Sequence, residues 1–168
     1  MPMVDMILME LDQEAATTRR LLERVPGDKL TWKPHAKSMT LGELAMHVAT
    51  TPAVIAQFAS VSNFELPDHF EQPKPASAAE VVSAHDQSIA EARARLRDFN
   101  DAAMMATWTL SKGGKTIFSV PRAGLIRTLL LNHWYHHRGQ LSVYLRELDV
   151  PIPSIYGPSA DENPFASI

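Results

Sequence analysis

Four long segments of the chain carry apolar side chains at steps of three and four residues, the spacing that lines one face of an α-helix. They cover residues 3–25, two stretches that open after residues 40 and 77, and residues 122–148. A helix with one apolar face must bury that face against other elements, so four of them favour a four-helix bundle. With 168 residues, the chain is long enough for one core. We therefore expect a single domain over residues 1–168.

Short signatures mark where these helices begin and are interrupted. Thr40 precedes Glu43 by three residues, and Ser77 precedes Glu80 by the same spacing, which predicts a capping box at each helix start. Pro52 lies inside the second helix and is expected to bend or divide it. Residues 61–76 hold three prolines and are predicted to form a connection.

Residues 106–120, ATWTLSKGGKTIFSV, interrupt the helical pattern before the last segment. Two short runs rich in β-branched and aromatic residues flank Gly113 and Gly114, which is typical of a β-hairpin. The expected fold is therefore all-α, a four-helix bundle with a small β-hairpin insertion before the last long helix.

Composition excludes several classes of function. The chain has no cysteine, so disulfides, thiolate metal ligands and a cysteine nucleophile are excluded, and any thiol chemistry needs a thiol from a substrate or cofactor. A net charge of −3 does not provide the basic surface that nucleic-acid binding requires. The N-terminus does not resemble a signal peptide and no stretch approaches a membrane span. We expect a cytoplasmic protein without nucleic-acid or membrane partners.

Residues 131–141, LNHWYHHRGQL, place three histidines within five positions of the last helix. The apolar residues of that helix predict that His133 and His137 continue its inward face, with His136 beside it. Histidines four residues apart have Cβ atoms roughly 6 Å apart, so both rings can reach one metal ion. Hydrogen-bonded core histidines are the alternative interpretation. The HExxH metalloprotease motif is rejected because Trp134 occupies the position of its glutamate.

A third histidine would favour a metal site over two packed imidazoles. His47 is the best candidate because the pattern of the second helix places it on the inward face. The alternative interpretation is a core histidine bonded to a backbone carbonyl. His85, on the inward face of the third helix, is the rival. His35 and His69 fall in loops and are expected to be solvated.

Other polar residues near these positions have two interpretations each. Glu43 could orient a ligand or act as a general base, but capping is favoured. Gln140 could bond to a group that supports the metal ligands. Arg138 is expected to point away from His137 into a helix–helix or dimer contact. Tyr156 could close over the site, although a structural role is favoured. No catalytic residue can be assigned from spacing.

Two stretches resemble one known family. LGELAMHVA (residues 41–49) and NHWYHHRGQLSVYLRELDVPIPSIYGPSADE (residues 132–162) are similar to the DinB family, in order and along essentially the whole chain. The resemblance implies a four-helix bundle of up-down-down-up topology and a divalent metal held by His47, His133 and His137. It also implies a homodimer. Several related proteins are thiol-dependent transferases or isomerases, and the family name does not imply DNA binding.

Three neutral imidazoles leave a divalent ion its full charge and open coordination positions, as in catalytic sites. Such an ion favours ionisation of a bound water or thiol, so hydrolysis and thiol transfer on a small-molecule substrate both fit. Zinc or nickel is favoured, with iron or manganese as alternatives, and a low-molecular-weight thiol is a candidate co-substrate. The competing hypotheses are a metal- or ligand-binding module without turnover and a structural or interaction protein.

Overall fold

Long helices account for most of the chain in the computed structural model, which describes residues 1–166. Helix α1 spans Met3–Leu22, α2 spans Leu41–Ala59, and α3 spans Ala78–Leu96. A short 3-10 turn, Gly27–Lys29, follows α1, and the short helix α4 covers Asp101–Met105. The last helical segment is continuous and consists of α5 (Arg122–Leu125), a π-helical stretch (Ile126–Asn132) and α6 (His133–Glu147). The predicted domain ran to residue 168, and residues 167–168 lie outside the described part.

The first helix ends three residues earlier than its apolar pattern predicts. Val25 precedes Pro26, and a residue before proline is driven out of the helical conformation. Val25 nevertheless stays buried, so the apolar pattern identified a core residue beyond the end of the helix. Glu14 of this helix is also buried.

The predicted capping box at the start of α2 is confirmed. The Thr40 hydroxyl accepts from the Glu43 backbone N–H at 3.2 Å, and the Glu43 carboxylate accepts from the Thr40 N–H at 2.8 Å. At the start of α3, the Ser77 hydroxyl accepts from the Glu80 N–H at 3.2 Å, while the Glu80 carboxylate accepts from Ala76 instead. In the second box, the glutamate side chain therefore accepts from the residue before Ser77 rather than from Ser77 itself.

Pro52 does not divide α2, which continues through it to Ala59. Proline has no N–H, so the carbonyl of Val48, one turn earlier, lacks its usual partner in the helix. The indole Nε1–H of Trp134 in α6 donates to that carbonyl at 2.8 Å. The next backbone N–H, of Ala53, donates to the hydroxyl of Ser88 in α3 at 3.0 Å. The proline therefore frees groups that tie α2 to both neighbouring helices.

The predicted hairpin is confirmed as strands β2 (Thr107–Lys112) and β3 (Lys115–Pro121), antiparallel around two glycines with φ of 57° and 73°. Positive φ at both central positions is what a tight hairpin turn demands. A third strand, β1 (Asn63–Glu65), pairs in parallel with β2 and was not predicted. Three residues are too few to show an alternating pattern, and the strand lies in the stretch interpreted as a connection.

After the π-helical stretch, the first buried positions of the last helical segment lie one residue beyond those that the sequence predicts. The sequence pattern, extended at a constant α-helical period, placed His133 and His137 on the inward face. A π turn takes in more residues than an α turn, and the first fully buried positions after it are Trp134 and Arg138, each one residue beyond a predicted histidine. His133 and His137 are half-buried at the edge of that face.

The long helices pack around a common apolar core. Helix α2 packs against α3 and α6, and α1 packs against the same two helices. The protein is thus mostly helical with a small three-stranded sheet, as expected in outline. Within residues 1–166, no helix combines the length and apolar character needed to cross a membrane.

Candidate metal centre

Three imidazoles meet where α2 faces α6. One ring nitrogen from each of His47, His133 and His137 lies within 4.8 Å of the other two. Nε2 of His133 and Nε2 of His137 are 2.9 Å apart. Two nitrogen ligands of a tetrahedral zinc ion lie about 3.3 Å apart, given Zn–N distances near 2.0–2.1 Å. The cluster therefore has the dimensions of a single-ion site.

The rings are oriented edge to face rather than stacked. The centroids of His47 and His137 are 4.4 Å apart and those of His47 and His133 are 5.2 Å apart, with interplanar angles of 86° and 84°. The rings of His133 and His137 are 4.5 Å apart at 88°. None of the three pairs is therefore stacked face to face.

His47 carries a polar atom without a partner. Its Nε2 is buried and has no hydrogen-bond partner within residues 1–166. A buried polar atom left unpaired is unfavourable by a few kcal/mol and is uncommon in folded proteins. The alternative interpretation of His47, a core histidine bonded to a backbone carbonyl, gives this nitrogen no role. A cation shared with His133 and His137 would satisfy it, so the residues fit a metal ion.

Gln140 sets the tautomer of His137. The amide oxygen of Gln140 lies 2.6 Å from Nδ1 of His137. An amide oxygen can only accept, so Nδ1 carries the proton and the neutral ring keeps its lone pair on Nε2, facing the cluster. Metal-binding histidines commonly donate their other nitrogen in this way. Gln140 was predicted to bond to a group that supports the metal ligands, and the structure places it directly against one of the candidate ligands.

All three imidazoles are neutral at physiological pH. Burial, followed by the nearby charges of His137 and His133, lowers the pKa of His47 from 6.5 to about 4. Burial also lowers the pKa of His133, against the opposing effect of the Leu129 carbonyl, and that of His137, against its bond to Gln140. Neutral imidazoles present the lone pairs that a metal ion requires.

One side of the cluster opens into a cavity of about 370 Å³. His47 and His133 contribute to its wall, the rest of which comes from α2 and from residues 70–73 of the connection. This is within the range of small-molecule sites. A ligand in the cavity would lie directly against two of the three histidines.

The structure separates the other candidate residues from this cluster. His85 is buried between α3 and α1, where its Nε2 lies 3.1 Å from the Ala15 carbonyl, so it is not the third member. Glu43 is used by the capping box and lies 3.6 Å from Lys74, which leaves no role as a general base at the histidines. Tyr156 bonds to Glu14 through its hydroxyl at 2.9 Å, on the α1 side of α6.

A buried ion pair was not predicted from the sequence. Arg138 donates to the Glu14 carboxylate at 2.6 Å and to the Thr18 hydroxyl at 3.1 Å, with both charged side chains almost fully buried. The guanidinium also contacts the Tyr156 hydroxyl and lies 5.1 Å from the Tyr135 ring. Of the two roles considered for Arg138, the structure supports the helix–helix contact. Glu14 could have been found, since it falls between Leu11 and Thr18 on an apolar stripe.

A helical fold with a histidine cluster between its second and last long helices defines a class of small proteins with a candidate metal site. The chain belongs to the DinB family, whose family model matches residues 1–164. The resemblance inferred from the two sequence stretches is therefore confirmed.

Individual relatives agree with this assignment. The chain is 28% identical over 160 residues to the uncharacterised protein YrdA of Bacillus subtilis, covering 95% of this chain and 91% of that protein. A DinB-like crystal structure from Bacillus subtilis has a TM-score of 0.66 at 20% identity, covering 86% of this chain and 92% of its own. One from Bacillus cereus has a TM-score of 0.64 at 24% identity, covering 89% and 95%. At these identities, the two structures establish the fold alone.

Proposed function

We propose that His47, His133 and His137 hold one divalent transition metal and that this centre is catalytic. The observation that carries the proposal is the unpartnered, buried Nε2 of His47 within 4.8 Å of nitrogens from the other two histidines. Imidazole ligands suit zinc, nickel and iron. Zinc or nickel is favoured as the native ion, with iron or manganese as alternatives.

Three protein ligands beside an open cavity are typical of catalytic rather than structural sites, which are closed by four ligands. When bound, a divalent ion supplies Lewis acidity and lowers the pKa of a water or thiol. The chain contributes three neutral imidazoles, the bond from Gln140 that orients one of them, and a largely apolar cavity beside two of them. We propose a thiol-dependent S-transferase-type or hydrolase-type reaction on a small molecule, with a low-molecular-weight thiol as the candidate co-substrate for transfer.

A metal- or ligand-binding protein without turnover is the second candidate. It is favoured by the lack of a positioned carboxylate: within residues 1–166, Glu71 is the only acidic residue lining the cavity, and it lies in the connection before α3. A general base is thus not evident beside the histidines.

We also propose that the long helices form a four-helix bundle of up-down-down-up topology within one domain. The pairwise packing of α1 with α3, α3 with α2, α2 with α6 and α6 with α1 closes a ring, which supports that arrangement. A homodimer and a cytoplasmic location remain predictions that rest on the family resemblance and on the sequence.

Metal-dependent turnover tests the catalytic proposal. Metal-loaded protein would be screened with small thiols plus electrophiles and with ester and amide substrates, beside metal-free protein and the variants His133→Ala and His136→Ala. We expect turnover that needs the metal, survives in His136→Ala, whose side chain is exposed on α6, and is lost in His133→Ala. Metal bound without turnover in either screen would favour the binding module.

A further inference from the structure

The cavity beside the histidines has a predominantly apolar wall. Helix α2 contributes Val54, Ile55 and Phe58, while Phe70 and Pro73 of the connection close the other side. The Phe58 ring stacks on Phe64 with centroids 3.9 Å apart and lies 6.2 Å from the Phe70 ring. Aromatic and aliphatic side chains therefore form the surface that a ligand meets first on its way to His47 and His133.

The two threonines of the wall add little polarity. The Thr50 hydroxyl donates to the Met46 carbonyl at 2.9 Å, and the Thr51 hydroxyl donates to the His47 carbonyl at 2.6 Å. Each hydroxyl proton is used within α2, so these side chains offer a ligand methyl groups rather than free donors. Gln72 is then the one uncharged side chain of the wall with an amide to offer.

The wall has no permanent cation. Within the described residues, no lysine or arginine lines the cavity, and Glu71 is its one charged residue. Lys74, the next residue after Pro73, is largely exposed and lies 3.6 Å from the Glu43 carboxylate. A negative charge held away from the metal would therefore meet the Glu71 carboxylate and apolar carbon, without a compensating partner.

We propose that this cavity binds the tail of the substrate, an uncharged and mainly apolar group, while a metal-binding head reaches the histidines. This inference rests on the proposed function and specifies its substrate class. It assigns the cavity to an aromatic or aliphatic substrate rather than to the carboxylated part of a small thiol.

Three hydroxamates that share one metal-binding group and differ in the attached tail test which kind of tail the cavity binds. Their dissociation constants for metal-loaded protein would be measured by calorimetry: acetohydroxamate, benzohydroxamate and 4-carboxybenzohydroxamate. We expect the ring to improve affinity about tenfold or more, as burial of an apolar ring implies, and the carboxylate to remove most of that gain. Equal affinity for the first two, or tighter binding of the third, would overturn the inference while leaving the metal site intact.

Wall and control variants locate the effect. Phe70→Ala should abolish the advantage of benzohydroxamate and leave acetohydroxamate unchanged, whereas Phe165→Ala, an exposed phenylalanine of the C-terminal tail, should change neither. If Phe165→Ala and Phe70→Ala behaved alike, the ring would not be bound in this cavity.

A metal-free measurement keeps this inference separate from the proposed function. Benzyl alcohol and benzoate would be titrated into metal-free protein while the methyl resonances of Val54 and Ile55 are followed by NMR. Benzyl alcohol should shift those resonances, and benzoate should shift them much less. Failure of both ligands to shift them would overturn the apolar cavity, whereas failure of all hydroxamates, with these shifts present, would overturn the metal site.

Discussion

Helix α6 presents two polar clusters of opposite character through adjacent residues. His137 faces α2 and joins a cluster in which the buried Nε2 of His47 has no partner within residues 1–166. Arg138 faces α1, where it bonds to Glu14 and Thr18 and lies against two tyrosine rings. The histidine cluster retains a buried nitrogen without a hydrogen-bond partner in the described residues, whereas the Arg138 guanidinium is hydrogen-bonded to groups of the same chain.

That difference separates a candidate ligand site from a structural contact. A buried ion pair whose charges find partners inside the protein needs no ligand, and its main effect is to fix how two helices pack. Neutral imidazoles with unpaired lone pairs are unfavourable in the metal-free protein and become favourable when an ion binds. The comparison predicts that mutations on the α1 side alter stability and that mutations on the α2 side alter metal affinity.

The largest effect is expected from breaking the buried ion pair. Arg138→Met leaves the buried Glu14 carboxylate without its cationic partner, which should lower the free energy of unfolding by about 3–5 kcal/mol. The double variant Glu14→Leu with Arg138→Met should recover most of that loss. Arg127→Met, which breaks an exposed pair with Glu10, should cost about 0–1 kcal/mol. Urea denaturation measures all three, and a double variant as unstable as the single one would contradict the account.

Gln140→Ala should weaken metal binding about 10- to 100-fold, because His137 loses the acceptor that fixes its proton on Nδ1. Gln13→Ala, an exposed glutamine on α1, is the matched control and should leave metal affinity unchanged. Competition with a chromophoric chelator gives the dissociation constants. Unchanged affinity in Gln140→Ala would mean that this bond is incidental to the site.

Trp134→Phe should destabilise the fold by about 1–2 kcal/mol, because it leaves the Val48 carbonyl without its donor in the core. Adding Pro52→Ala supplies a backbone N–H that can pair with the same carbonyl, so the double variant should regain part of the loss. Thermal and urea unfolding of the single and double variants form the test. If Pro52→Ala made Trp134→Phe worse, the proline would not be the reason that the carbonyl is free.

The last prediction concerns the dependence of stability on pH in the metal-free protein. The pKa of His47 is lower in the folded chain, about 4, than its ordinary 6.5, so the unfolded chain takes up the proton first. The contribution of neutral His47 to the free energy of unfolding should therefore be fully present above pH 6.5 and decline as the pH falls toward 4. His47→Gln should flatten that decline, while His35→Gln, in an exposed loop, should not. Equal slopes of unfolding free energy against pH in all three proteins would contradict the burial of His47.

Local signals made the helices and the hairpin predictable. The capping residues, the paired glycines and the three-four spacing of apolar side chains each act over a few residues, so they are legible in the sequence. The up-down-down-up order was implied by the family resemblance instead. Strand β1 escaped prediction because its three residues acquire a structure only by pairing with β2.

The prediction of the histidine cluster rested partly on an incorrect assignment of the inward face of the last helix. His133 and His137 were expected on the inward face of a uniform α-helix, but the π stretch Ile126–Asn132 rotates that face onto Trp134 and Arg138. The four-residue spacing still brings the two rings together, because it lies wholly within α6. The partner of Arg138 was missed because Glu14 is distant in sequence, and only packing of α1 against α6 brings the two together.

Elemental analysis of protein purified without a histidine tag or a nickel column tests the central claim most directly. Wild-type protein, His133→Ala and His136→Ala would be compared, as purified and after incubation with zinc, nickel, manganese and iron. The account predicts one equivalent of a transition metal per chain in wild-type and His136→Ala, and its loss in His133→Ala. Full metal content in His133→Ala, or no metal in any of the three after incubation, would contradict it.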